Sequence, residues 1–248
     1  MAWPAMRPIL STLLLLNALI LGQATHASTA LPLYEAQYRT KVSGIRITLT
    51  RSLTEDQGQY HLQQSGKALL VKLLEQSHFT VEGDQIIGDH FSYQLSGVTR
   101  RQREVRYEPD AGIIRSLRKK TWTEHPWSAD VLDRLSQQEQ LRLLLIRAEA
   151  PPERMALKVV DGPNIKLKRF ELVEQATLDT LAGTLRTVQY RLLHDDPEER
   201  SSDTWLAIDH SFLMVRTEHE ERGSKTVVEI SEAVIDGKPL SADTASKN

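Results

Sequence analysis

From Tyr34 onward, apolar and polar residues take turns along most of the chain. Tyr34, Ala36, Tyr38 and Val42 alternate with Glu35, Gln37, Arg39 and Lys41, and Ile45, Ile47 and Leu49 alternate with Arg46, Thr48 and Thr50. A period of two places one residue type on each face of a sheet, so both stretches are read as half-buried strands, joined at Ser43-Gly44. The same reading predicts strands over residues 59–64, 68–74, 78–82, 86–95, 101–107 and 113–119, and again over 155–160, 165–174, 184–193, 203–207, 213–219 and 226–235. Glu108-Pro109-Asp110-Ala111-Gly112 and Asp161-Gly162-Pro163-Asn164 carry the residues that tight reversals require.

Residues 131–149 break the pattern. Leu141, Leu144, Leu145 and Ala148 fall at i, i+3, i+4 and i+7, which is one face of a helix. Ser128 or Asp130 is placed to cap it, Asp133 suits its first turn, and Pro151-Pro152 end it. One helix does not cover a flat sheet of about a dozen strands. The pattern therefore predicts a mainly β fold: an antiparallel sheet curled into an open or partly closed barrel, with one main α-helix packed across it, over its mouth or inside its curve. Two segments imply burial on more than one side, namely the run Leu69, Leu70, Val71, Leu73 and Leu74, and residues 141–146.

The ends of the chain read differently. Arg7, an apolar stretch over residues 9–21 and small residues ending at Ala27 form the three parts of a secretory signal peptide, with Ala27 or Ala30 as the cleavage site. The apolar stretch is short of the roughly 20 residues that span a bilayer. The expectation is a signal peptide over 1–27, one barrel domain over 31–236 and a disordered tail over 237–248, in a periplasmic protein without a membrane span after cleavage.

Composition narrows the chemistry. A net charge of −2 over 248 residues speaks against a nucleic-acid binder, and zero cysteines exclude a disulfide framework, a thiolate metal site and a Cys nucleophile. No G-x-S-x-G is present, and His210-Ser211 are adjacent, so their side chains leave a strand on opposite faces. The eight histidines form no H-E-x-x-H, and the acidic segment His194-Asp195-Asp196-Pro197-Glu198-Glu199 lacks the spacing of a calcium loop and reads as a solvated hairpin tip. No catalytic residue, metal site or cofactor is expected. Charge is concentrated between Arg100 and Lys120, where a predicted hairpin carries eight basic residues against three acidic ones, with Trp122 and Trp127 following. Same-sign neighbours across a ladder cost stability, which points to an anionic partner, while a solvated edge strand that blocks aggregation carries the same pattern.

Tyr34 and Tyr38, Asp133-Arg134-Leu135-Ser136, the run from Leu178 to Thr187, Trp205-Leu206-Ala207-Ile208-Asp209 and Val215-Arg216 together resemble the exported bacterial family catalogued as domain of unknown function 3108. The resemblance covers about residues 33–234 and departs at Ile208 and Met214, where the family often has proline. It implies a fold similar to the lipoprotein carriers of the LolA and LolB type, an open barrel with a helical lid over an apolar cavity. It brings no catalytic residue.

The expected function is therefore non-enzymatic binding of an apolar or amphipathic ligand, a lipid or lipidated peptide, in the barrel. Leu132, Leu135, Leu141, Leu144 and Leu145 with Ile45, Ile47 and Leu49 would form the cavity and lid. Arg101, Arg103, Arg106, Arg118, Lys120 and Trp122 would meet an anionic headgroup or a partner. The alternative is an envelope protein-interaction module with a filled core and no small ligand.

Overall fold

The computed structural model describes residues 31–42, 44–68 and 70–240. The expected signal peptide and residues 241–248 lie outside the described residues. The chain order is β1 (Tyr34–Val42), β2 (Ile45–Asp56), β3 (Gln59–Ala68), β4 (Val71–Glu82), β5 (Gln85–Ser96), β6 (Arg101–Glu108), β7 (Ile113–Arg118), β8 (Thr121–Pro126), β9 (Val131–Leu132) and α1 (Ser136–Arg147). It continues with β10 (Arg154–Asp161), β11 (Asn164–Thr180), β12 (Gly183–Leu193), β13 (Arg200–Ala207), β14 (Leu213–Glu221), β15 (Ser224–Ile235) and β16 (Lys238–Pro239).

All sixteen strands belong to one sheet, ordered β8-β7-β6-β5-β4-β3-β2-β1-β15-β14-β13-β12-β11-β10-β9, with β16 added to β15. Two antiparallel meanders are thus joined through β1 and β15, and only the short β9 runs parallel to its neighbour β10. The strands outnumber the dozen expected because β8, β9 and β16 are too short for a periodic signal, two to six residues each. The ends of the ladder, β8 and β9, do not pair with each other, so the barrel is open.

Alternation sets the inner face. Tyr34, Ala36 and Tyr38 on β1, Tyr60 and Leu62 on β3, Phe79 on β4, Phe91 on β5, Tyr190 on β12 and Val215 on β14 all enter one core. Between them the outward positions, such as Arg39, Thr48, Gln63 and Glu174, are exposed. The wall therefore faces water, and no helix among the described residues is long and apolar enough to cross a membrane.

Register defines two ends. The β1–β2, β3–β4, β5–β6, β7–β8, β10–β11, β12–β13 and β14–β15 turns share the upper end, because each strand is antiparallel to the next along the ladder. The β2–β3, β4–β5, β6–β7, β11–β12 and β13–β14 turns share the lower end.

The seam between the two edges is closed by side chains. Asp161 accepts hydrogen bonds from Arg103 (3.1 Å) and Arg118 (3.0 Å), Gly162 N donates to Ser116 Oγ (2.9 Å), and His125 Nε2 meets Gly162 O (2.9 Å). Gly162 has φ +61°, and a Cβ there would lie 2.7 Å from Arg118 Cβ. Gly162→Ala therefore combines left-handed strain with a clash in the clamp and is expected to cost about 1–3 kcal/mol, read as a lower urea midpoint with an unchanged slope.

Three expectations are corrected here. Residues 131–132 are strand, and the helix starts at Ser136, because Asp133 stops the chain: its Oδ1 accepts from Leu135 N (2.7 Å) and Ser136 N (2.9 Å) in place of a cap at Ser128 or Asp130. The apolar run after Ala68 does not enter the core. Leu70 sits at the β3–β4 turn and is 75% exposed, while Val71, Leu73 and Leu74 are half-buried on β4; Leu69 lies outside the described residues. The tail is ordered to Leu240, whose N donates to Ala233 O (2.7 Å) beyond the β15–β16 pair.

Candidate functional site

The helix is not a lid. It descends inside the curve of the sheet from mid-height to the lower end, and it is buried nearly all round, through Ser136, Gln137, Glu139, Gln140, Leu141, Arg142, Leu143 and Leu145. Gln140 ties it to the lower end, accepting from Ile86 N (2.7 Å) and donating to Asp84 O (2.7 Å). Asp133 Oδ2 accepts from Ser77 Oγ on β4 (2.7 Å), which fixes its start against the opposite wall.

A charged network fills the centre. Glu139 is 3% exposed and sits between Arg51 and Arg142, each 2% exposed. Its Oε1 accepts from Arg51 Nη2 (3.0 Å) and Tyr34 Oη (2.6 Å), and its Oε2 accepts from Arg142 Nη1 (3.2 Å). Arg51 Nε also donates to Tyr34 Oη (2.8 Å), and Arg142 donates to the carbonyls of Ser211 (2.8 Å) and Pro32 (2.9 Å). Burial pushes the Glu139 carboxyl up, but Arg142 and Arg51 outweigh it and hold the group below its ordinary value. Every charge here has a partner, so the network is structural.

Open space lies above it. A cleft of about 900 Å³ opens at the upper end; its floor is Arg134, Gln137 and Gln138 at the start of α1, and its walls are the upper parts of β10 to β14. Lys166 and Lys168 stand on the same face of β11 as Phe170 and look inward, because they pair with the buried Val159 and Leu157 of β10. The acids nearby are mostly engaged: Asp161 by Arg103 and Arg118, Glu221 by Arg200 (3.0 Å), and Glu199 by Arg222 (3.3 Å). Lys168 makes no ion pair with a carboxylate among the described residues. Burial lowers its ammonium to about 8, helped by the charges of Arg134, Lys166 and Arg200, while Asp161 acts the other way.

Three further side chains meet on the inner face of this cleft. Ser202 Oγ lies 2.9 Å from His194 Nε2 and 2.8 Å from His219 Nδ1. Burial, Arg200, His219 and Lys168 all push the His194 imidazole down, so it is neutral at pH 7 and gains charge only in acid.

The expected site residues are scattered by comparison. Leu132, Leu135, Leu141 and Leu145 are core residues at 0–3% exposure, and Leu144 borders a separate shallow hollow of about 420 Å³ at the lower end. Ile45 is exposed at the β1–β2 turn, Ile47 and Leu49 are half-buried on β2, and none of the three borders the cleft or the hollow. Arg103 and Arg118 are paired across β6–β7 and reach the cleft edge through Asp161, and Arg106 stacks over Trp122 at 4.9 Å. Arg101 and Lys120 are exposed near the upper turns. The acidic segment 195–199 is an exposed turn, as its composition implies, and it borders the cleft. No local motif marks Lys168, Arg134, His194, Ser202 and His219, which converge from the segment before α1, from β11, β13 and β14 and from the β12–β13 turn.

Comparison with known proteins adds the following. A model of the DUF3108 family, described as proteins of unknown function, matches residues 33–231. No curated protein matches the chain in a sequence search. Among solved structures, the chain is similar to a β-barrel-like protein of the unknown-function domain DUF1849 from Brucella abortus, with TM-score 0.54 and 10% identity, over 83% of this chain and 98% of that one. A candidate lipoprotein from Parabacteroides distasonis aligns with TM-score 0.29 and 9% identity, over 81% of this chain and 94% of that one.

Proposed function

We propose the following role for this chain, which belongs to the DUF3108 family of proteins of unknown function: an exported, periplasmic binding protein without catalytic activity that takes an amphipathic anion in the upper cleft. The observation that carries it is Lys168, an inward-facing ammonium at about 8 with no carboxylate paired to it, over a floor that includes Arg134. A cation held this way gains from a bound anion what it lost in desolvation. The ligand differs in placement from the one expected at the outset. Its anionic group lies in the cleft, its apolar part rests against Leu192 on the inner face of the cleft wall, and nothing enters the core.

The test is calorimetric titration with dodecyl phosphate, with dodecyl maltoside as the uncharged control. Saturable binding of the phosphate alone is expected, weakened at least about tenfold by Lys168→Met, the scale of a charge-assisted hydrogen bond. Affinity should fall as pH rises through about 8, where Lys168 loses its proton. Equal binding by wild type and Lys168→Met at all pH values would overturn this reading. The filled interior favours the second one, an envelope protein-interaction module, and dodecyl phosphate would then give no saturable heat.

A further inference from the structure

The upper turns of the N-terminal meander form a surface of their own. The β1–β2 turn exposes Val42 (47%) and Ile45 (41%) between Lys41 and Arg46. The β3–β4 turn exposes Leu70 (75%) between Lys67 and Lys72, and the connection from β5 to β6 exposes Val98 (79%) just before Arg100 and Arg101. Lys119 and Lys120 form the β7–β8 turn, with Trp122 (41%) on its return strand. None of these four segments contains an aspartate or glutamate, and none of these eight cations makes an ion pair with a carboxylate among the described residues. Strand spacing puts successive turns about 10 Å apart, so four apolar points stand in a row roughly 30 Å long amid positive charge.

The opposite end of the same strands has the reverse character. Its turns carry Glu55 and Asp56, Glu82 and Asp84, and Glu108 and Asp110, with no lysine or arginine between them. The two ends of this half-barrel thus carry opposite charge. The β7–β8 turn adds an independent sign of purpose. Lys119 and Lys120 both have positive φ, +50° and +68°, in a two-residue turn that ordinarily takes Asn-Gly or Gly-Gly. Two lysines are kept there against backbone preference.

We propose that these four turns dock the protein on an anionic lipid bilayer, with Val42, Ile45, Leu70 and Val98 entering the interface, Trp122 at headgroup depth and the lysines and arginines on the phosphates. Charge complementarity selects this occupant: exposed apolar points isolated from one another suit an interface that flows around them, and the unpaired cations suit a negative surface. The surface is distinct from the cleft and stands without it, although both open at the upper end.

The test is flotation of the full chain with vesicles of phosphatidylcholine alone or with about 30% phosphatidylglycerol, in rising salt. The expected result is partitioning at least tenfold stronger to the anionic vesicles at low salt. Lys119→Glu with Lys120→Glu should reduce that binding about tenfold or more, and Leu70→Ser with Val98→Ser should remove the part that survives high salt. All proteins share the same N-terminal segment, so differences between them read the turns; unchanged thermal unfolding checks that each variant folds. Dodecyl phosphate binding in the cleft should be unchanged in the variant with Lys119→Glu and Lys120→Glu, which separates this surface from the cleft. Equal flotation by wild type and the turn variants, or no preference of the wild type for anionic vesicles, would overturn the proposal.

Discussion

Glu139→Ala is expected to lower the unfolding free energy by about 3–5 kcal/mol, measured by urea denaturation at pH 7. Removing this carboxylate leaves Arg51 and Arg142 buried at 2% exposure with no opposite charge, and their side chains are fixed from several elements at once. The size of the effect comes from the stranded cations rather than from the loss of two favourable pairs. A replacement of all three, Arg51→Met, Glu139→Leu and Arg142→Met, should therefore be far milder than the single change. The pH dependence follows from the direction of the shift. Glu139 is held below its ordinary value, so folding favours its ionised form. Its contribution is complete above about 4.5 and is lost as pH falls through the lowered native value.

Asp133→Ala is the second large effect, expected at about 3 kcal/mol or more. The carboxylate is fully buried and accepts from two backbone amides and two hydroxyls, those of Ser77 and Ser136, so its removal strands four donors. It also releases the start of α1 from β4. Because Arg134, Gln137 and Gln138 floor the cleft, this variant should bind dodecyl phosphate more weakly as well, which a purely local defect would not produce. The sign with pH is opposite to that of Glu139. Burial raises the Asp133 carboxyl despite its donors, so its ionisation is a cost in the native state that grows as pH rises through the raised value. Asp133→Asn keeps an acceptor for the backbone amides and should lie between wild type and alanine.

The β architecture was legible because most strands have one wet face, and alternation reports that. Where strands end at turns, the report fails: the run around Leu70 reads as core by composition, yet its register places it on the upper end in water. The buried face of the helix is legible only in part, for a related reason. Its period marks Leu141, Leu144, Leu145 and Ala148 as the buried face, but a helix inside a barrel is buried nearly all round, and Leu143, Glu139 and Arg142 go in while Leu144 is left half-exposed. One signal of the interior charges was available. Arg51 occupies the same parity as Ile45, Ile47 and Leu49, and an arginine at an inward position implies an acid to meet it. The partner, Glu139, comes from 88 residues away, and nothing local announces it. The cleft is hidden in the same way, since Lys168 becomes exceptional only through the cations that β13 and α1 bring to it.

The ligand claim rests on the state of one ammonium group. Nuclear magnetic resonance of lysine side chains, isotopically labelled and assigned with Lys168→Met, follows it directly across pH. The account predicts that Lys168 titrates near 8 and moves up toward the ordinary lysine range once dodecyl phosphate is added. A Lys168 that titrates with the rest, or whose titration ignores the phosphate, would contradict it.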